Sequence, residues 1–146
     1  MRISTRGRCG LRAMAYIAGK GDTVVSTRSI AESQGISESY LEQILAALRG
    51  GGLLRSVRGA GGGFVLTRPP EKITAGEILR TVEGSLSPAE CLDEPELKTK
   101  NQGKVPGSCA SCEDCAAKGV LSKVYGSVTE VVDSITVLDI LDSKSI

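Results

Sequence analysis

A chain of 146 residues with one Phe, three Tyr and no Trp has room for one domain with an appendage, and its core must be aliphatic. The formal charge of +1 hides an asymmetry. Residues 1–72 hold 11 Lys/Arg against 5 Asp/Glu, whereas residues 73–146 hold 7 against 12, so a polyanionic partner is expected for the first half alone. "MRISTRGRCG" lacks an apolar signal region and no stretch approaches the roughly 18 apolar residues of a membrane span, so a cytoplasmic protein with no membrane partner is expected.

In chain order, "RCGLRAMAYIAGK" predicts a first helix, with Leu11, Met14, Ala15 and Ala18 on one face, before "GDT" turns the chain. "VSTRSIAESQGISESYLEQILAALRGGG" predicts two helices joined by a short turn. Ser26 or Thr27 caps the first, which turns Ile30 and Ala31 inward and stops near Gly35. Ser37 caps the second, and Glu38 suits the positive end of its dipole. Leu41, Ile44, Leu45 and Leu48 then make one apolar stripe that Gly50–Gly52 end. A short capped helix, a glycine-containing turn and a longer helix make a helix-turn-helix candidate.

"LLRSVRGAGGGFVLTRPP" predicts strands over Leu54–Val57 and Phe64–Thr67 around a Gly/Ala tip, closed by Pro69 and Pro70. A hairpin in that place is a wing, and Arg55, Arg58 and Arg68 make its edges basic. In "TAGEILRTVEG", Thr74 and Glu77 stand at capping-box spacing, with Ile78, Leu79 and Val82 as the apolar face. From about Ser85 to Ala117 periodicity vanishes, and a stretch that long is functional or disordered. "VLSKVYGSVTEVVDSI" restores it. Val120, Leu121, Val124, Val128, Val131, Val132 and Ile135 form a wide aliphatic stripe, read as a subunit interface with packing inside one chain as the competing reading. The expected fold is mainly α with a small β-hairpin wing. Its parts are a winged helix-turn-helix over 1–84, a cysteine-rich sensor loop over 85–117, and a dimerisation helix with a C-terminal segment over 118–146.

A recognition helix meets base edges with its N-terminal residues. Here those positions are Ser37, Glu38, Ser39, Tyr40, Glu42 and Gln43; Gln pairs with adenine and Glu accepts from cytosine N4. With little positive charge on that face, phosphate contacts fall to Arg2, Arg6, Arg8, Arg28, Arg55 and Arg58. The bland reading of the same residues is a solvated helix face. "RGAGGGF" also invites a dinucleotide reading. The G-x-G-x-x-G pattern from Gly59 fails at Phe64, and a strand rather than a helix follows, so the wing reading wins.

The five cysteines stand beside no histidine. Cys109, Cys112 and Cys115 form C-x₂-C-x₂-C, Cys91 lies upstream, and Cys9 is in the first helix. In a reducing compartment this favours metal ligation or redox chemistry over structural disulfides. The βαβ context of a thioredoxin-type pair is missing, and zinc prefers two separated C-x₂-C pairs, although Cys91 with three close cysteines could close an S₄ site. Thiolate-only ligation suits an iron–sulfur cluster. Cluster, zinc and free or switching thiols all remain open on spacing alone.

The segments "MRISTRGRCGLRAM", "IAESQGISESYLEQILAALRGGGLLRSVRGAGGGFVL", "EKITAGEILRTVEG" and "VVDSITVLDIL" resemble, over nearly the whole chain, the bacterial regulator family that includes IscR, NsrR and CymR, the Rrf-two family. The resemblance implies a homodimeric winged helix-turn-helix repressor or activator whose long C-terminal helix, here roughly 118–133, crosses to the partner subunit. It places Ser37, Ser39, Tyr40, Glu42 and Gln43 in the major groove of a pseudo-palindromic operator, with Arg58, Gly59, Ala60 and Gly61 in the wing tip. Cluster-binding members carry three cysteines ahead of the dimer helix. Cys109 and Cys115 match the spacing of the last two, and Cys91 stands where the first is expected.

This chain also departs from that pattern. The gap from Cys91 to Cys109 is long, Cys112 is extra, and the positions of a His or acidic fourth ligand hold Lys118 and Arg8. Cys9 can be a cross-subunit ligand or a small buried apolar residue, the second being favoured. The expectation is an iron–sulfur cluster (2Fe-2S or 4Fe-4S) that tunes operator affinity. The alternative is a cluster-free regulator of cysteine or sulfur metabolism with zinc-bound or switching thiols and a sulfur-metabolism enzyme as a further partner. A thiol oxidoreductase or iron–sulfur carrier, needing no operator, is the reading from another class.

Overall fold

The computed structural model describes residues 2–93 and 115–143. Its centre is α3 (Glu38–Gly50), whose predicted stripe of Leu41, Ile44, Leu45 and Leu48 is completely enclosed. Burying side chains of this size contributes about 1.5–3 kcal/mol each, enough for one helix to organise its neighbours. Around it pack α1 (Thr5–Ala18), α2 (Thr27–Gln34), α4 (Ala75–Glu83) and a two-stranded hairpin.

Local chemistry sets the helix ends. α1 starts three residues earlier than the apolar pattern indicates, because Ser4 caps it by accepting the Gly7 N–H at 3.1 Å. Ser4 is in turn held by Glu83 at the end of α4, which accepts its N–H at 2.9 Å and its hydroxyl at 2.7 Å. Ser26, as expected, caps α2 through the Ser29 N–H, and Gly35 ends that helix in the left-handed region at φ 63°.

Strands β1 (Leu54–Val57) and β2 (Gly63–Leu66) pair antiparallel with Leu54 opposite Leu66, the second beginning one residue before the expected start. The cause is a third strand-like segment. Phe64 exchanges both backbone hydrogen bonds with Val25, at 2.8 and 3.0 Å, which draws Gly63 into the ladder. A Cβ on Gly63 would fall 2.2 Å from the Val25 carbonyl oxygen, so only glycine permits this approach. At the wing's base Arg68 donates to the Lys72 carbonyl at 3.1 Å and to Glu77 Oε1 at 2.8 Å. The other Glu77 oxygen accepts the Thr74 N–H at 2.9 Å, completing the expected capping box of α4. Burial pushes the Glu77 carboxyl up, but the Thr74 N–H and Arg68 outweigh it and leave the group below its ordinary range.

A short 3-10 turn spans Glu90–Leu92, and Cys115 is the cap of α5 (Ala116–Ser134). Not one of the 19 residues of α5 is buried. The helical stripe stops before Ile135, which is extended and presents its carbonyl to the Ala75 N–H at 2.8 Å. A further helix, α6 (Val137–Asp142), was not expected from the sequence. Its start is a capping box in which Asp139 N–H donates to Thr136 Oγ1 at 3.2 Å and Thr136 N–H donates to Asp139 Oδ2 at 2.8 Å. Val137 is completely enclosed in the same core cluster as α1 and α3, and donates its N–H to the Ile73 carbonyl at 2.9 Å.

Candidate DNA-binding face and cysteine site

The start of α3 turns Ser37, Glu38, Ser39, Glu42 and Gln43 to solvent, while Tyr40 is half-buried and packs against the core. Ser37 occupies the N-cap position but makes no side-chain cap hydrogen bond, unlike Ser4, Ser26, Thr74 and Thr136 at the other Ser/Thr-capped helices. The expected cap is therefore absent. Among the described residues its hydroxyl has no hydrogen-bond partner, and it sits at the positive end of a helix, where backbone N–H groups also point outward.

Beside this face stands the wing, with Arg55, Arg58, Gly59, Ala60 and Gly61 all exposed. Among the described residues neither arginine forms an ion pair. Arg28 is exposed on α2 and paired with Glu32 at 2.8 Å, a contact weak enough in water to be exchanged for a phosphate. Arg2 is exposed just ahead of the Ser4–Glu83 anchor. Arg8 is exposed and donates to Thr5 Oγ1 at 3.2 Å, whereas Arg6 is half-buried with its Nε enclosed and unpartnered, so the Arg6 side chain is not the freely accessible surface cation that the sequence offers.

One polar corner, between α1 and α2, escaped the sequence reading. The Tyr16 hydroxyl lies 3.1 Å from Ser29 Oγ at the start of α2, and Lys20 Nζ lies 5.2 Å from the centre of the Tyr16 ring. The Ser29 contact, against burial and with the help of Lys20, holds the Tyr16 hydroxyl below its ordinary range. The i, i+4 spacing of Tyr16 and Lys20 at the end of a basic helix was the available signal.

Of the thiols, Cys9 is buried in the core cluster as a small apolar residue would be. Cys91 and Cys115 are both half-buried free thiols, one in the turn that packs on α5 and the other at the cap of α5. Cys109 and Cys112 lie outside the described residues. Among the described residues of one chain no three Cys, Asp or Glu side chains gather closely enough to hold a metal ion, so Cys9 does not join Cys91 and Cys115 of its own chain. The donors at the two ends of the cysteine-rich segment are cysteine sulfurs, the ligand type of an iron–sulfur cluster or zinc.

The expected interface residues lie on α5 and just beyond it. Val120, Val124 and Val131 are 64, 44 and 55% exposed, Ile135 is also exposed, and Leu121, Val128 and Val132 are half-buried. Among the described residues no helix is long and apolar enough to cross a membrane.

A helix-turn-helix with an adjoining basic wing defines a winged-helix DNA-binding protein. Within that class, the model of the Rrf2 family, described as iron-dependent transcriptional regulators, matches residues 3–143, and the chain belongs to that family. It is 40% identical over 141 residues to the HTH-type transcriptional regulator CymR of Bacillus subtilis (strain 168), covering 96% of this chain and 89% of that one. To the HTH-type transcriptional regulator IscR of Klebsiella pneumoniae (strain 342) it is 33% identical over 147 residues, covering 100 and 83%.

Solved structures of similar proteins share the fold. The structure of CymR (YrzC), the global cysteine regulator of B. subtilis, superposes with a TM-score of 0.76 at 38% identity, covering 98% of both chains. The IscR of T. potens gives 0.73 at 39% identity, covering 99% of this chain and 88% of that one. The chain is accordingly a transcriptional regulator, from a family that is not enzymatic.

Proposed function

We propose that the chain binds a pseudo-palindromic double-stranded DNA operator as a homodimer, and that an iron–sulfur cluster held by Cys91, Cys109, Cys112 and Cys115 controls its affinity. The carrying observation is α5. It begins at a cysteine, is touched by the turn holding Cys91, and buries none of its residues in its own chain. A 19-residue helix with an aliphatic stripe and no buried side chain is stable when a second copy covers that stripe. Ser37, Ser39, Tyr40, Glu42 and Gln43 then read the major groove of each half-site, while Arg58 and the glycines of the wing tip enter a neighbouring narrow groove. Arg2, Arg28 and Arg55 neutralise phosphates. The cluster supplies a bond between the two ends of the cysteine-rich segment that oxidant, nitric oxide or iron shortage can remove.

The 40% identity to CymR favours a second reading, a cluster-free regulator of cysteine or sulfur metabolism whose thiols bind zinc or switch, with an enzyme of that metabolism as a further partner. Purification without oxygen, followed by visible absorbance and iron, sulfide and zinc per chain, separates the two. Matched iron and sulfide with broad visible absorbance supports the cluster. A colourless chain that resists reconstitution and carries one zinc or none sinks it.

A further inference from the structure

Among the described residues, a single ion pair fastens α5 to the DNA-binding unit. Arg80 on α4 donates from Nη1 to Asp133 Oδ1 at 2.7 Å and from Nη2 to Oδ2 at 2.8 Å. Such a two-pronged contact fixes orientation as well as distance, because both planar groups must lie edge to edge. The two helices meet where α4 has Gly76. A Cβ there would fall 1.9 Å from Asp133 Oδ1 and 2.8 Å from Arg80 Nη1, so a larger residue would push the carboxylate out of the fork. Immediately beyond Asp133, the Ala75–Ile135 and Val137–Ile73 backbone hydrogen bonds, with Thr74 paired to Thr136, hold the chain on the same helix start.

The opposite end of α5 differs. Val120 and Val124 are open to solvent, and Cys115 lies 19 residues from Ser134, about 29 Å along a helix. The salt bridge itself is more than a third exposed on both sides, so it contributes little to stability. Its geometry is tighter than stability requires. α4 also packs directly on α3, so the direction of α5 is passed to the recognition helix through one intervening element.

We propose that Arg80, Asp133 and Gly76 form a positioning joint that fixes the angle between α5 and the recognition helix of the same chain, and thereby sets the half-site spacing the dimer accepts. The proposal rests on the homodimeric, operator-binding reading given above. Two recognition helices reach successive major grooves only when separated by about one helical turn of DNA, roughly 34 Å. An error in the angle of α5 shifts that separation without touching any base-reading side chain. A bond formed or lost near Cys115 would act on the long arm of the same lever.

The test uses the full chain and a pool of duplexes with randomised half-sites and spacers that differ by single base pairs. The wild type is expected to enrich one spacing over its neighbours by roughly tenfold, the order of a single misplaced base contact. Asp133→Asn keeps the shape but loses the charged fork, and Arg80→Lys keeps the charge but loses the second prong. Each should leave the enriched half-site sequence, circular dichroism and dimer size unchanged while the spacing preference falls to about twofold. Arg80→Lys carries the same readout should Asp133→Asn fail to fold. Folded dimeric variants that keep the sharp spacing, or that lose half-site sequence and spacing together, overturn the joint. A wild type that enriches no duplex overturns the operator-binding reading beneath it.

Discussion

Helices α4 and α5 lie against each other, yet they belong to different economies of burial. α4 has nine residues and buries five of them, Ala75, Gly76, Ile78, Leu79 and Val82. α5 has 19 and buries none. Both carry apolar residues at helical spacing, so pattern alone does not separate a helix that completes its own chain's core from one that awaits a second surface. The difference lies in what surrounds each stripe. α4 is flanked by α1 and α3, whereas the most exposed side of α5, marked by Val120, Val124 and Val131, has no neighbour within the described chain.

Substitutions can break that contrast. Leu45→Ala inside α3 should lower unfolding free energy by about 2–5 kcal/mol in urea titrations at any protein concentration. Val124→Asp on α5 should leave the monomer folded by circular dichroism and raise the dimer dissociation constant about 100-fold in sedimentation, as a charge placed in a desolvated interface does. A Val124→Asp chain that unfolds as a monomer would show that α5 leans on its own chain after all. On the DNA side, Gln43→Ala should relax base preference at one position at a cost of about 1–3 kcal/mol. Arg58→Ala should weaken binding and, where it neutralises a phosphate, lower the salt slope by about 1.

A smaller effect sharpens the contrast at the helix starts. Thr74→Ala should cost about 1 kcal/mol through loss of the α4 capping box, read from the urea midpoint. The smallest concerns acid. Asp133 is held below its ordinary range by the Arg80 hydrogen bonds, and Glu77 by the Thr74 N–H and Arg68 against burial. Their stabilising contribution is therefore complete above the ordinary carboxylate pKa and is lost as pH falls through the lowered values. Arg80→Ala should flatten that acid limb in pH-dependent urea unfolding.

Much of this was legible because local rules and packing agree in the first 84 residues. The Leu41–Leu48 stripe, the Ser26 cap, the Thr74–Glu77 box and the wing all follow from side chains a few positions apart. Where a distant partner intervenes, the sequence falls short. The start of α1 depends on Ser4 meeting Glu83, and the start of β2 depends on Val25, neither of which periodicity can register. α6 was missed although Thr136 and Asp139 stand at the spacing of a capping box, because Ile135 continues the α5 stripe and hides the break. Five cysteines beside no histidine make sulfur the expected donor without fixing its arrangement, since Cys91 and Cys109 are separated by a stretch without periodicity.

The enclosed Val137 also orders events during synthesis. It lies beyond α5, yet fills a core otherwise made from residues 9–82. The DNA-binding unit therefore cannot close around the last side chain it needs until the chain beyond α5 has been made. Closing that contact over more than a hundred residues is a slow, non-local step.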